Sequence, residues 1–153
     1  MIQFLFLDSS PLSLLTHPQS SLRVHAISAW LFEAVQSGIQ VIVPAIIFYE
    51  LKRELLRASK PMGMARLDAF VSAGPGLYLP LSDPALRLAT DLWAQSRRAG
   101  RPTGPPESLD IDVLLAAQAL TFGPAPSEIV VVTANRKHLS QFVDARDWTE
   151  IYP

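Results

Sequence analysis

The sequence predicts an α/β fold with three layers, α/β/α, around a central parallel sheet of about four to five strands. Short apolar runs, typical of strands buried on both faces, recur at Ile2–Leu7, Gln40–Val43 and Glu128–Val132. Between these runs the apolar residues follow helical spacing. Because strands that alternate with helices are joined by right-handed crossovers, we expect a parallel sheet with helices on both faces.

The first part of the chain contains two of these strands and two longer helices. Ile27, Trp30 and Leu31 recur at helical spacing, Gly38 follows where a helix stop is expected, and Pro44 ends the second strand. The expected elements are a strand at Ile2–Leu7, a turn or helix start at Ser9–Pro11, a helix at Leu22–Ser37, a strand at Gln40–Val43 and a helix at Ala45–Ala58.

The second part of the chain is rich in helix signals. The Gly74–Gly76 turn closes one helix, Pro80 weakens the next strand, and Asp83 with Pro84 begins a long helix. The expected elements are helices at Met62–Ala73, Asp83–Arg98 and Asp110–Phe122, a loop at Ala99–Ser108, strands at Leu77–Leu81 and Glu128–Val132, a helix opened by Thr133–Asn135, and a final edge strand at Thr149–Tyr152.

Length and composition fit one globular domain over residues 1–153, and no linker divides the chain. Hydrophobic residues make up 49% and charged residues 18% of the sequence, which excludes a disordered chain. The absence of cysteine excludes disulfide frameworks, thiolate zinc sites and cysteine nucleophiles. With a net charge of −1, attraction to nucleic acid must come from a local basic patch or from bound metal.

No targeting or membrane segment is expected. Met1–Leu7 is apolar but has no basic lead, and Asp8 ends the run, which does not suit a signal peptide. The apolar stretch Val41–Tyr49 is too short to span a bilayer. We therefore expect a cytoplasmic protein.

Polar side chains gather where sites form in an open parallel sheet, at the carboxyl ends of its strands. A hard cation such as Mg²⁺ or Mn²⁺ prefers several oxygen ligands. Once bound, it lowers the pKa of a water, orients that water and neutralises charge on a phosphodiester. The order of acids predicts a phosphodiester-cleaving site built from Asp8 after the first strand, Glu50 in the helix after the second strand, Asp110 and Asp112 at a helix start, and Thr133 and Asn135 after the Val130–Val132 strand.

Each of these residues also has a purely structural interpretation. Asp8, Asp110 or Asp112 suits a helix N-cap, and Glu50 suits a solvated helix charge. The histidines lack metal-ligand spacing, and His138 is interpreted as a surface or structural residue.

Four stretches resemble the PIN-domain family, which includes toxins of the VapC type. Together they span nearly the whole chain in the family order. They are Leu7-Asp8-Ser9-Ser10, Val43-Pro44 followed by Tyr49-Glu50-Leu51, the helix Asp112–Ala119 with Leu115 in the place of the family's Ile, and Val132-Thr133-Ala134-Asn135 followed by His138-Leu139.

The resemblance implies a ribonuclease dependent on Mg²⁺ or Mn²⁺, often a homodimer and often the toxin of a type II toxin–antitoxin pair with a small antitoxin. Asp8, Glu50 and Asp112 would be the catalytic, metal-binding acids, and the hydroxyls of Ser10 and Thr133 would support them. The fourth acidic position of the family is Asn135 here, which offers a carbonyl oxygen but no charge.

Asp110 and Asp112 compete for one role. Residues two apart on a helix point about 200° apart, because each residue advances by about 100°. The spacing to the Leu115–Ala117 run favours Asp112, and Asp110 is kept as a lesser candidate for the metal.

Two other classes of function remain open. A PIN fold that has lost an acid can persist as a catalytically weak or inactive module that binds RNA or protein, and Asn135 is compatible with that. A phosphatase with Asp8 as nucleophile is disfavoured, because Ser10 stands where a second Asp would act as acid.

Overall fold

Five parallel strands form the centre of the protein. The computed structural model describes all 153 residues, and its strands are β1 (Phe4–Leu7), β2 (Gln40–Pro44), β3 (Gly76–Leu79), β4 (Ile129–Val132) and β5 (Ala145–Arg146). Their order across the sheet is β3-β2-β1-β4-β5, and every pairing is parallel. In the central strand Leu5, Phe6 and Leu7 are fully buried. Because successive side chains of a strand point to opposite faces, both faces of the sheet are covered.

Seven α-helices flank this sheet. None of them combines the length and the apolar character needed to cross a lipid bilayer. They are α1 (Ser9–Leu15), α2 (Leu22–Gln36), α3 (Ala45–Arg57), α4 (Pro61–Ser72), α5 (Asp83–Arg98), α6 (Ile111–Leu120) and α7 (Arg136–Leu139), with 3-10 turns at Pro126–Glu128 and Trp148–Glu150.

Side-chain caps fix where four of the helices begin. Asp8, Ser21, Ser82 and Asp110 each accept a hydrogen bond from a backbone N–H of the first turn. These N–H groups have no partner inside the helix, so a cap satisfies a donor that would otherwise need water. Two of the four caps, those of α1 and α6, are acids that the sequence singled out as site residues.

One hydrophobic core of 32 buried residues joins the sheet to the helices. α6 is its most deeply buried helix, since every side chain from Val113 to Ala119 is buried, which explains why the sequence of this helix is nearly all apolar. Phe122 extends the contact by packing edge-on against Phe4 and Phe6, with ring centroids 5.2 and 5.3 Å apart. α6, which carries Asp112 in its first turn, is therefore held in place by the core.

Most predicted elements occur in the predicted order with boundaries within two residues of those observed. The turn or helix start predicted at Ser9–Pro11 is a helix that continues to Leu15, and the helix after Thr133–Asn135 begins at Arg136. The edge strand predicted at Thr149–Tyr152 is wrong. Asp147 accepts from the Thr149 N–H at 3.0 Å and Glu150 accepts from the Asp147 N–H at 3.2 Å, which folds this segment into a 3-10 turn. The edge position is taken by β5, whose Ala145 and Arg146 pair with β4.

Candidate functional site

The register of the two central strands brings Asp8 and Thr133 together. Leu7 of β1 pairs with Val132 of β4, so the next residue of each strand lies at the same edge of the sheet. The Asp8 N–H donates to the Val132 carbonyl at 3.0 Å. The Thr133 hydroxyl donates to Asp8 Oδ2 at 2.7 Å. We call this edge, at the carboxyl ends of β1 and β4, the rim.

Both carboxylate oxygens of Asp8 are fixed by neighbours. Oδ1 caps α1 by accepting from the Ser9 N–H at 2.7 Å, and Oδ2 accepts from Thr133. The Thr133 hydroxyl in turn accepts from the Asn135 N–H at 2.9 Å, so its single proton is directed at Asp8. Thr133 is 1% exposed and Asp8 is 8% exposed. Asp8 is thus a nearly buried carboxylate with a fixed orientation.

Glu50 reaches the same region from α3, where it is half-buried. Ser9, at the start of α1, donates through its hydroxyl to Asp8 Oδ1 at 3.4 Å and lies near enough to the Glu50 carboxylate to lower its pKa. The sequence assigned this supporting role to Ser10, but Ser10 is exposed and makes no side-chain hydrogen bond to either acid. Ser10 is turned away because consecutive helical residues differ in direction by about 100°.

Asp112 approaches the rim from the second position of α6. Its Oδ2 lies 3.0 Å from Nδ1 of His138 on α7, and its side chain is 20% exposed. The amide nitrogen of Asn135 lies 3.3 Å from the same Nδ1, so Asn135 joins the cluster through His138. From the sequence, His138 was interpreted as a surface or structural residue, not as a partner of Asp112. Its position three residues after Asn135, on the helix that begins at the rim, was the available signal.

Asp110 has a different environment from Asp112. Its Oδ1 accepts from the Thr103 hydroxyl at 2.7 Å and from the Val113 N–H at 3.3 Å, which makes it the N-cap of α6. The 99–108 loop encloses it closely, since a Cβ at Gly104 would lie 2.8 Å from the Asp110 Cβ. Its Oδ2 is buried and has no partner. Of the two acids, only Asp112 contacts another residue of the rim.

The acids of the rim repel one another. Burial is the largest cause that raises the pKa of Glu50; a hydrogen bond from Ser9 lowers it, and the charges of Asp8 and Asp112 raise it further. Burial likewise raises the pKa of Asp112, against a hydrogen bond from His138, and the charge of Asp8 raises it again. Carboxyls gathered from three distant segments therefore carry an electrostatic cost when all are ionised.

A divalent cation fits this donor set. The groups offered are carboxylate, hydroxyl and carboxamide oxygens, the ligands that Mg²⁺ and Mn²⁺ prefer. Neither Asp8 nor Glu50 forms an ion pair with Lys or Arg, and Asp112 pairs only with His138. The charge of Arg53 lowers the pKa of Glu50, but less than burial raises it. No three acidic or histidine side chains are already arranged as a complete metal-binding group. Binding would therefore draw these side chains together.

Comparison with known proteins gives matches in structure but not in sequence. No protein-family model matches the chain, and no curated protein matches it either. VapBC2 from Rickettsia felis, bound to a DNA fragment from its promoter, contains a chain similar to this one with a TM-score of 0.71 and 16% identity, over 95% of this chain and 98% of that chain.

Two further structures are similar over nearly the full length. VapBC-1 from nontypeable Haemophilus influenzae gives a TM-score of 0.69 at 16% identity, covering 96% of this chain and 99% of that one. FitAcB from Neisseria gonorrhoeae gives 0.67 at 17% identity, with the same coverage. At such identities the likeness concerns the fold, and it confirms the predicted PIN-like α/β/α architecture.

Proposed function

We propose that this protein is a metal-dependent endoribonuclease that hydrolyses RNA phosphodiesters. The observation that carries the proposal is that Asp8, Glu50 and Asp112, from distant parts of the chain, lie at one rim. Their charges repel one another there, and a bound cation would remove that repulsion. The PIN-like fold is consistent with this activity but does not by itself establish it.

In this proposal the acids of the rim hold a divalent metal, and their neighbours keep the carboxylates in the orientation that binding requires. Asp8, Glu50 and Asp112 would hold Mg²⁺ or Mn²⁺, with the Asn135 carbonyl oxygen as a neutral ligand. When bound, the metal supplies charge neutralisation at the phosphodiester and activates water for hydrolysis. Thr133 keeps Asp8 oriented, and His138 keeps the Asp112 carboxylate directed along the rim.

The proposal is tested by RNA cleavage with purified protein in Mg²⁺ or Mn²⁺. We expect Asp8→Asn to reduce the cleavage rate by roughly 100-fold or more, as removal of a main electrostatic group at a reacting centre does. Asp91→Asn, which removes an exposed acid of α5 away from the rim, is the matched control and should cleave like the wild type. Equal rates for wild type and Asp8→Asn would refute the mechanism.

The biological role that we propose is that of a toxin silenced by a small antitoxin, in the cytoplasm. Chains of this fold occur in VapBC structures, whose names pair two components, at nearly full coverage. The test is expression in cells: growth arrest by the wild type, none by Asp8→Asn, and rescue by co-expression of a small protein encoded beside it. Growth arrest that Asp8→Asn also causes would contradict a nuclease toxin.

A binding module without catalysis is the alternative, and it is favoured by the neutral Asn135 and by the absence of a complete metal-binding group in this geometry. Calorimetry separates the two proposals. Binding of Mn²⁺ by the wild type and its loss in Asp8→Asn supports the nuclease, whereas RNA binding with no metal binding supports the module.

A further inference from the structure

A pocket with a mixed polar and apolar lining lies beside the rim, between α1, α3 and α4. Its volume is about 300 Å³, and Lys60, His17, Gln19 and Ser13 line it together with apolar Leu51 and Leu55. No acidic residue lines it. We propose that this pocket binds a backbone phosphate of the RNA strand, away from the phosphodiester that is cut, and this inference rests on the proposed function above.

The pocket adjoins the acids along two helices. On α1, Ser9 contacts Asp8 and Glu50, and Ser13, one turn later, lines the pocket. On α3, Leu51 follows Glu50 directly and Leu55 lies one turn further. With a rise of about 1.5 Å per residue, the far end of the pocket at Thr16 lies roughly 10 Å along α1 from Ser9. That distance corresponds to about three nucleotides at ~3.4 Å each along a stacked strand.

Two basic side chains at the pocket, Lys60 and Arg66, have no acidic partner. Arg66 donates through Nε to the carbonyl of Thr16 at 3.2 Å, which places its guanidinium at the edge of the pocket. Neither Lys60 nor Arg66 forms an ion pair. Six other basic side chains are already paired with acids: Lys52, Arg53, Arg57, Arg87, Arg136 and Arg146.

Neutral donors complete the pocket. The His17 ring contacts the Gln19 backbone through Nδ1, which lies 3.1 Å from the Gln19 nitrogen and 3.2 Å from its carbonyl oxygen, and an imidazole N–H is a donor for phosphate. The hydroxyl of Ser13 adds another donor. A lining with one ammonium and several neutral donors but no carboxylate, next to a guanidinium bound to the Thr16 carbonyl, matches the chemistry of a phosphate and not that of a cation.

The need for such a subsite follows from the acidity of the rim. The chain as a whole carries a net charge of −1, and the acids at the reacting centre repel RNA phosphates. Residues 45–72 carry five basic and three acidic side chains, whereas the remainder of the chain carries eight and eleven. Attraction for an RNA strand is therefore concentrated on the α3–α4 side, where the pocket lies.

The test measures the salt dependence of RNA binding. A fluorescein-labelled single-stranded RNA of about ten nucleotides, a length typical of such sites, is titrated with Asp8→Asn protein in Mg²⁺ at several KCl concentrations. Lys60→Gln and Arg66→Gln, made in that background, should each reduce the slope of log K against log[KCl] by about 0.7, the value for one phosphate contact on a single strand. Arg23→Gln, which removes an exposed and unpaired charge from α2, should leave the slope unchanged.

Two further arms complete the test. A dinucleotide is too short to reach from the rim to the pocket, so its affinity should not respond to Lys60→Gln. An unchanged slope in both pocket variants, or no RNA binding at all, overturns the proposal. Unchanged RNA binding with lost binding of oligoglutamate also overturns it, by assigning the pocket to an acidic protein partner.

Failure of this inference differs from failure of the proposed function. If the wild type cleaves RNA and the pocket variants keep the wild-type slope, only the subsite is refuted. If RNA is bound with a slope that depends on the pocket but is never cleaved, the subsite stands and the nuclease proposal is refuted.

Discussion

The Thr133 hydroxyl connects two segments of chain that are 125 residues apart by donating to Asp8 while accepting from the Asn135 N–H. We expect Thr133→Val, which keeps the shape but removes the hydroxyl, to leave both partners unsatisfied. The free energy of unfolding should fall by about 1–3 kcal/mol, the cost of buried polar groups that lose their partner. Urea denaturation measures this change.

The same substitution should weaken metal binding, because Thr133 orients Asp8. Loss of a group that orients a ligand typically reduces metal affinity roughly 10–100-fold, which calorimetry with Mn²⁺ would detect. Thr133→Ser retains the hydroxyl and is the matched control. If the Val and Ser variants bind Mn²⁺ equally well, Thr133 has no role in orienting Asp8.

Glu50 should make stability depend on pH. Its pKa is raised in the folded protein, mainly by burial, so the folded state favours the protonated form. The stabilisation that protonated Glu50 gives to the folded state is fully present below pH 4.5, the ordinary pKa of Glu, and is lost as the pH rises through the raised pKa. Without metal, Glu50→Gln should therefore melt at a higher temperature than the wild type at neutral pH, and the difference should vanish below pH 4.5.

Glu54 provides a control one turn away on the same helix. A hydrogen bond from Arg57 lowers the pKa of Glu54. The contribution of Glu54 to stability therefore depends on pH in the opposite direction: it is present above the ordinary pKa and is lost in acid. Glu54→Gln should not raise the melting temperature at neutral pH. A higher melting temperature in both variants would mean that a general reduction of negative charge, and not the environment of Glu50, is responsible.

Among single residues, position along the chain predicted Asp8, Glu50, Asp112 and Thr133, because each follows a strand or occupies the helix beside it. The roles of Ser9 and His138 were missed, each for a different reason. Ser9 replaces Ser10 because the exact helical phase of α1 depends on the Asp8 cap. His138 contacts Asp112 because α7 packs against the start of α6, a tertiary contact that its position after Asn135 suggests but does not specify.

At the scale of elements, the start of α6 depends on its cap. Asp110 accepts from the Val113 N–H and from Thr103, so Asp110→Ala removes both the cap and the attachment of the loop. We expect a loss of about 1–2 kcal/mol in the free energy of unfolding, in the range for N-cap removal. Denaturation of Asp110→Ala and of Asp110→Asn, which can still cap, measures this loss.

The two acids at the start of α6, Asp110 and Asp112, should differ in their effect on metal affinity. Asp110→Asn should retain the Mn²⁺ affinity of the wild type, because its carboxylate caps the helix, whereas Asp112→Asn should lose most of it. Calorimetry with both variants decides between them. Loss of affinity in Asp110→Asn with the cap intact would assign the metal to Asp110 instead.

Elements were predicted well where a local pattern specifies them and poorly where packing does. β1 and β4 are continuous apolar runs because both of their faces are buried, and this leaves a clear signal in the sequence. In the C-terminal segment Ile151 is buried for another reason: the Trp30 indole donates to the Ile151 carbonyl at 2.9 Å, and the ring of Trp148 lies 6.0 Å from that of Trp30. Ile151 is therefore buried against α2 without being part of a strand.

At the scale of the whole molecule, the alternation of strands and helices predicted the layers but not the strand order. The order β3-β2-β1-β4-β5 depends on which crossover passes which face, and no local pattern encodes it. That order places β1 and β4 side by side, and with them Asp8 and Thr133. The candidate site residues could therefore be proposed from the sequence, whereas the contacts among them required the sheet.

Metal should couple the site to the stability of the whole protein, because a ligand that binds only the folded state stabilises it. At a metal concentration about 100 times the dissociation constant, the stabilisation is about 2.7 kcal/mol, or a rise of roughly 5–10 °C in melting temperature for a chain of this size. Thermal unfolding with Mn²⁺, reversed by EDTA, measures it. Asp8→Asn should lose most of this rise, and Asp91→Asn should keep it.

The same experiment reverses the effect of Glu50→Gln. Without metal, the substitution removes a repelled carboxylate and should stabilise the protein; with saturating Mn²⁺, it removes a ligand and should leave the variant less stable than the wild type. This change of sign requires that Glu50 both opposes its neighbouring acids and holds the metal with them. A Glu50→Gln protein that stays more stable than the wild type at every Mn²⁺ concentration would show repulsion alone and would remove Glu50 from the proposed metal site.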